Sequence, residues 1–324
     1  MPKFTSIMGV NCSTYFQSKP ISPNSAAIQI ANLPVTSAKT FSHDFDLPFI
    51  KAAQAQRKLT LAVGCTNGEL AGLAGGGTRK LIEDITPFSD VVAWVCVGNE
   101  PLGSWQAHAY DRLLVPAVQN VANALKQAGL PIGVTVPQNF EFMQASYPPS
   151  AGSIKKEFED IIKGTCDVMR STGAPFMVNI YPFITRRENR SVVSLDYCLF
   201  HAAPQEWVRD GIYTYENIFD AMLDALRVAL GRIGCGDLDI VVGECGWPTA
   251  GDQDATLANA QVFNQGLIKH CKSGTGTPRN RGKTIQCFAF EMYDEDRKPT
   301  DAGPFERYWG IYDGAGNPKY RLTW

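Results

Sequence analysis

The chain reads as an α/β protein, a single (β/α)8 TIM barrel over residues 1–324 with a small insertion after the sixth strand, at about residues 182–214. Three observations predict this. Short apolar runs alternate with amphipathic helical stretches from end to end. Eight such runs can be drawn, the number that closes a barrel. Two of them finish on a glutamate followed by Pro or Cys-Gly-Trp-Pro, and the strand-end rim is where a barrel carries its chemistry.

The expected strands are 6–11, 37–41, 59–64, 91–99, 132–137, 176–181, 238–243 and 285–293. The fourth, which opens Val91-Val92-Ala93-Trp94-Val95, is short and rich in β-branched residues, the signature of a strand buried on both faces. Helices are expected between them, for example over 110–128 and 215–233. The first of these repeats apolar residues at Leu113, Leu114, Ala117, Val118, Val121, Ala122 and Leu125, then stops at Gly129 before Pro131. Gly75-Gly76-Gly77 lacks the GxGxxG spacing of a phosphate loop and reads as the end of a helix, which weighs against an open doubly wound sheet. The 182–214 segment is too long for a plain loop and carries Phe183, Tyr197, Phe200, Trp207 and Tyr213. It is expected to wall one side of the cleft, the alternative being a surface flap.

Composition excludes several classes. Charged residues are 19% and hydrophobic residues 44%, so the chain is globular. A net charge of −2 without a basic stripe predicts no nucleic-acid partner and no anionic membrane. No apolar run reaches the length of a membrane span. A monomer is expected. Residues 1–10 lack the apolar core of a signal peptide, so the protein is either not exported and cytoplasmic or has had its leader removed. The nine cysteines form no CxxC pair and read mostly as free thiols, which leans towards a reducing compartment. The four histidines include no HExxH, so no catalytic metal or other cofactor is expected.

The candidate chemistry lies in Glu100 and Glu244. Two carboxyls facing one sugar can cleave a glycosidic bond: one protonates the leaving oxygen, and the other attacks the anomeric carbon when the two are about 5–5.5 Å apart. The plainer alternative is two strand-end glutamates paired with Arg or Lys. Asn99, before Glu100, offers an amide to a sugar hydroxyl. Phe41, Tyr181 and Trp247 fall where a sugar ring could stack. After the eighth strand come Glu295, Lys298 and Glu306, either a hydroxyl-binding set with Lys298 as the positive neighbour of Glu244 or a structural salt-bridge network.

At these residues the sequence resembles glycoside hydrolase family 17, the plant-type endo-1,3-β-glucanases. The likeness rests on Val97-Gly98-Asn99-Glu100, Tyr147-Pro148-Pro149-Ser150-Ala151-Gly152, Val178-Asn179-Ile180-Tyr181-Pro182-Phe183, Gly243-Glu244-Cys245-Gly246-Trp247-Pro248 and Glu306-Arg307-Tyr308-Trp309-Gly310-Ile311. It is dense from about residue 91 to the C-terminus. The resemblance implies a (β/α)8 fold, retention of configuration and hydrolysis of 1,3-β-glucan. It implies Glu100 as acid/base and Glu244 as nucleophile. Asn99, Asn179, Tyr181, Glu295, Lys298 and Glu306 would lie near the cleft. A transglycosylase on the same site and a non-catalytic glucan-binding barrel are the competing readings. Two positions depart from the family: Phe41 stands where a cleft tyrosine is usual, and Cys245 where Thr or Ser is. By the same resemblance an extracellular or cell-wall location is expected if a leader was removed.

Overall fold

The computed structural model describes residues 7–324; the first residue of the expected strand 6–11 and most of the N-terminal segment lie outside them. The barrel strands are β1 (Met8–Asn11), β2 (Ser37–Lys39), β3 (Thr60–Cys65), β4 (Val92–Val97), β5 (Gly133–Thr135, resumed after Val136 by Pro137–Gln138), β6 (Phe176–Asn179), β7 (Ile240–Cys245) and β8 (Gln286–Ala289). All pair in parallel, in ring order from β5 back through β4, β3, β2 and β1 to β8, β7 and β6. The sheet's two ends are the two halves of β5: Gly133–Thr135 pairs with β4 and Pro137–Gln138 with β6. The two halves of this one strand thereby bring the sheet nearly full circle, as a barrel requires.

Inside the ring, Ala62, Cys96, Met177, Val241 and Phe288 form a buried plug. These are inward-facing residues of five strands, and they fill the barrel as a packed core. A larger apolar layer lies between the sheet and helices such as Pro23–Asn32, Asp111–Gln127, Glu159–Thr172, Ile218–Arg232 and Leu257–Ser273. The helix expected over 215–233 begins later, because Tyr215 belongs to a hairpin and Asn217 caps the helix by accepting from the Asp220 N–H at 2.8 Å. After β8 comes a 3-10 turn, Pro304–Arg307, in place of an eighth long helix. The helix Leu70–Ala74 ends at Gly75, with Gly76 at φ +88°, as the triple glycine suggests.

The segment after β6 holds two short helices, Pro182–Glu188 and Leu195–Cys198, and the hairpin Val208–Asp210/Tyr213–Tyr215. Its arginines tie it to the loop after β7: Arg186 and Arg190 reach Asp254 at 3.2 and 3.1 Å, and Arg190 also pairs with Asp252. Among the described residues no helix is long and apolar enough to cross a membrane. All nine cysteines are buried and free.

Candidate active site

Strand ends set the site. β4 stops at Gly98, whose φ of +76° turns the chain out of the sheet, and Glu100 takes φ +52°, a conformation unusual for a residue with a Cβ. The turn is fixed from three sides. Glu100 N–H donates to Pro137 O at 2.8 Å, and Asn67 clamps the Asn99 peptide, accepting from its N–H and donating to its O, each at 2.8 Å. On β7 the pairing register shifts between Val242 and Glu244, so Glu244 stands opposite Asn179 of β6.

Both oxygens of the Glu244 carboxylate are engaged. Lys39 Nζ, at the end of β2 and fully buried, lies 2.8 Å from Oε1, and the Tyr181 hydroxyl donates to Oε2 at 2.6 Å. Burial and the charges of Glu244 and Glu100 push the Tyr181 phenol well above its ordinary range, so it keeps its proton and donates. Lys39 also stands 3.4 Å from Asn99 Oδ1 and 3.9 Å from the Phe41 ring centroid. At its carboxyl, Glu100 accepts a hydrogen bond from Asn179 Nδ2 to Oε1 at 2.8 Å. Burial, then the charge of Glu244, push its carboxyl up to about 8, against the opposing pull of Asn179 and Lys39. Two carboxyls thus lie in opposite environments, one held by a cation and a phenol, the other pushed upward by burial and its neighbour's charge.

A second cluster adjoins the first. Lys298 Nζ lies 3.7 Å from Glu291, 3.7 Å from Glu295 and 3.8 Å from Glu306, and 4.5 Å from the Phe290 ring centroid. Burial pulls this ammonium down, but the three carboxylates more than offset it and leave it above the usual lysine range. Trp309 Nε1 donates to Glu306 at 3.2 Å. Phe290 packs between Phe41 and Tyr181 at centroid distances of 6.4 and 5.7 Å, which joins the two clusters.

The structure therefore gathers Phe41, Asn99, Glu100, Asn179, Tyr181 and Glu244, with Glu295, Lys298 and Glu306 beside them. One expectation needs correction and one needs sharpening. Trp247 is 0% exposed, donates its Nε1–H to Asp254 O at 2.9 Å and packs on Phe183 and Phe263; it is core and presents no face to a sugar. Lys298 does act on Glu244 through its charge but pairs with the three other glutamates, and the cation in direct contact with Glu244 is Lys39. Sequence reasoning missed Lys39 as a site residue, and Glu291 entirely. A lysine closing a strand of a closed barrel is the signal that could have found Lys39, because such a charge must be paired.

The model of the Glycosyl hydrolases family 17 matches residues 52–324. The chain belongs to this family. It is 32% identical to glucan endo-1,3-beta-glucosidase 5 of Arabidopsis thaliana, over 98% of this chain and 66% of that protein. It is 38% identical to Lichenase-2 of Hordeum vulgare, over 78% of this chain and 79% of the relative. The chain thus spans about two thirds of the Arabidopsis relative's length. Among solved structures it is similar to CJP38, described as a beta-1,3-glucanase and allergen of Cryptomeria japonica pollen, with a TM-score of 0.91, 30% identity and coverage of 97% and 98% of the two chains.

Proposed function

We propose that this family 17 barrel is a retaining endo-1,3-β-glucanase, with Glu244 as nucleophile and Glu100 as acid/base. The observation that carries the reading is the contrast between the two carboxyls. Glu244 is bound by Lys39 and Tyr181, while Glu100 is pushed up to about 8 and is a protonated acid at neutral pH. In the first step a Glu244 oxygen bonds to the anomeric carbon as the bond to the leaving sugar's O3 breaks, and Glu100 gives its proton to that O3. In the second step water attacks the anomeric carbon, Glu100 takes its proton, and the ester to Glu244 breaks. Two inversions return the β configuration. On this reading Asn99 binds the 2-OH, and its bonds to Asn67 and its approach to Lys39 at 3.4 Å beside Glu244 support that role. The names of its relatives, which include a lichenase as well as endo-1,3-glucosidases, support a β-glucan substrate. A polymer of that kind sets the reaction outside the cell or in its wall.

The test is to follow laminarin, mixed-linkage glucan and cellulose with the purified protein, reading product size and early anomeric configuration by NMR. Internal cuts in laminarin with β products, and little action on cellulose, are expected. An α product, or glucose alone from the outset, would overturn the assignment.

A further inference from the structure

Tyr15 and Phe45 are exposed aromatic side chains that the mechanism leaves without a role. Tyr15, in the loop after β1, is 59% exposed, and Phe45, in the loop after β2, is 45% exposed. Both loops leave the C-terminal ends of their strands, on the face that carries Lys39, Glu100 and Glu244. The two rings touch, with centroids 4.8 Å apart and planes at 85°. Phe16 braces Tyr15 from a second direction, at 4.7 Å and 84°. An edge-to-face pair of this kind offers ring surface to solvent that the fold itself leaves uncovered.

The pair is held in place by bonds to the segments that carry the site residues. Phe16 N–H donates to Glu295 Oε1 at 3.4 Å, and Phe16 O accepts from the Arg297 N–H at 2.8 Å. Ser18 N–H donates to Asp296 at 2.7 Å. These bonds tie the Tyr15 loop to the segment that carries Glu295 and Lys298. On the other side, Phe45 N–H donates to Ser42 Oγ at 3.0 Å, and buried Asp46 accepts from the N–H groups of Phe41 and Ser42, each at 3.0 Å. Phe41 in turn lies against Lys39, the partner of Glu244. The two loops therefore stand at the ends of β1 and β2, which follow β8 and Glu244's strand in the sheet.

We propose that Tyr15 and Phe45 form an outer glucosyl subsite, which takes one sugar of a long β-glucan beyond those at the two carboxyls. It rests on the glucanase reading above. The pyranose of a β-linked glucose presents axial C–H groups on its faces, and an aromatic platform buries them directionally. A rigid ring pair loses little entropy on binding, so it suits a polymer that must be held without being trapped. The subsite matters only for chains long enough to reach it.

Tyr15→Ala, Phe45→Ala and the double variant are compared with Tyr15→Phe and Phe45→Tyr. Substrates are laminarin and an aryl β-laminaribioside, and thermal melts check folding. Each alanine should raise the KM for laminarin roughly 2–10-fold, with kcat nearly unchanged and the short glycoside unaffected. The ring-preserving variants should behave as wild type. Cleavage of laminarin by the wild type with no KM change in the double variant would overturn the subsite alone, as would an equal KM change on the short substrate. Failure of the wild type to cleave laminarin would overturn the glucanase reading and the subsite with it.

Discussion

Glu100 and Glu244 are the same residue type at equivalent places, the ends of two parallel strands, yet their surroundings differ. Glu244 meets a buried ammonium at 2.8 Å and a phenol at 2.6 Å. The Glu100 carboxyl accepts from the Asn179 amide, and burial and the field of Glu244 outweigh the pull of that amide and of Lys39. The strand that carries the carboxyl does not decide its character. Residues of other strands do: Lys39 from β2 and Tyr181 at the end of β6 for one, burial and a neighbouring charge for the other. In a closed barrel every strand end faces the same cleft, so one catalytic group is tuned by side chains far away in sequence.

The largest effects should come from erasing the difference. Glu244→Gln keeps the shape and removes the attacking charge, and kcat on laminarin should fall roughly 10⁴-fold or more while glucan still binds. Glu100→Ala should lose about 10²–10⁴-fold on laminarin. Added azide should restore part of its activity on an activated aryl glycoside, since that leaving group needs no acid and azide no base. The two losses separate by that rescue. Rescue of the Glu244 variant with retained β configuration, or its absence in the Glu100 variant, would reverse or break the roles.

The next step changes the partners and leaves both carboxyls in place. Lys39→Met strands the Glu244 charge in a buried site, a change that typically costs about 3–5 kcal/mol when one partner of a buried pair is removed. The nucleophile loses its contacting cation, and kcat/KM on laminarin should fall by roughly 10²-fold. Tyr181→Phe removes one hydrogen bond to the same carboxylate, a loss of about 1.5–3 kcal/mol, or on the order of 10–100-fold. Lys298→Met should cost less kcat/KM than Lys39→Met, because its ion pairs are with Glu291, Glu295 and Glu306. A larger loss from Lys298→Met than from Lys39→Met would undo the pairing.

What was legible in the sequence follows the same division. The eight strands and both strand-end glutamates could be read, because each is a local apolar run that ends in a carboxylate. Strand lengths were less legible. β4 stops at Val97 because Gly98 takes a positive φ, and β8 ends at Ala289 although apolar residues continue to Tyr293. The hairpins Met143–Ala145/Ser153–Ile154 and Val208–Asp210/Tyr213–Tyr215 are two- or three-residue pairings too short to leave a period. Partners were least legible. Trp247 looks like a stacking residue beside a glutamate, but its direction depends on Phe183 and Phe263, which belong to other elements. Lys298 follows Glu295 closely in sequence and so looked like the cation of the site. The cation in contact, Lys39, comes from the opposite end of the chain and is brought to Glu244 only by closure of the ring.

The smallest expected effect is on stability, and it sharpens the comparison most directly. Glu100 in the folded protein holds its proton up to about 8, whereas an unfolded glutamate releases it near pH 4.3. Between these values the folded state binds more protons, so the contribution of this group to stability is fully present below pH 4.3 and is lost as pH rises through about 8. Glutamine cannot ionise and can still accept from Asn179. Glu100→Gln should therefore melt close to wild type at pH 4 and higher than wild type at pH 8, by roughly 2–4 °C. Deprotonation of the same carboxyl removes the acid, so the basic limb of wild-type kcat/KM should fall over the same pH range in which the melting difference grows. Glu244 interacts with Glu100, so the midpoint read from either curve belongs to the pair. A melting difference constant from pH 4 to 8 would mean that Glu100 is not held protonated, and the two carboxyls would lose the asymmetry on which their roles depend.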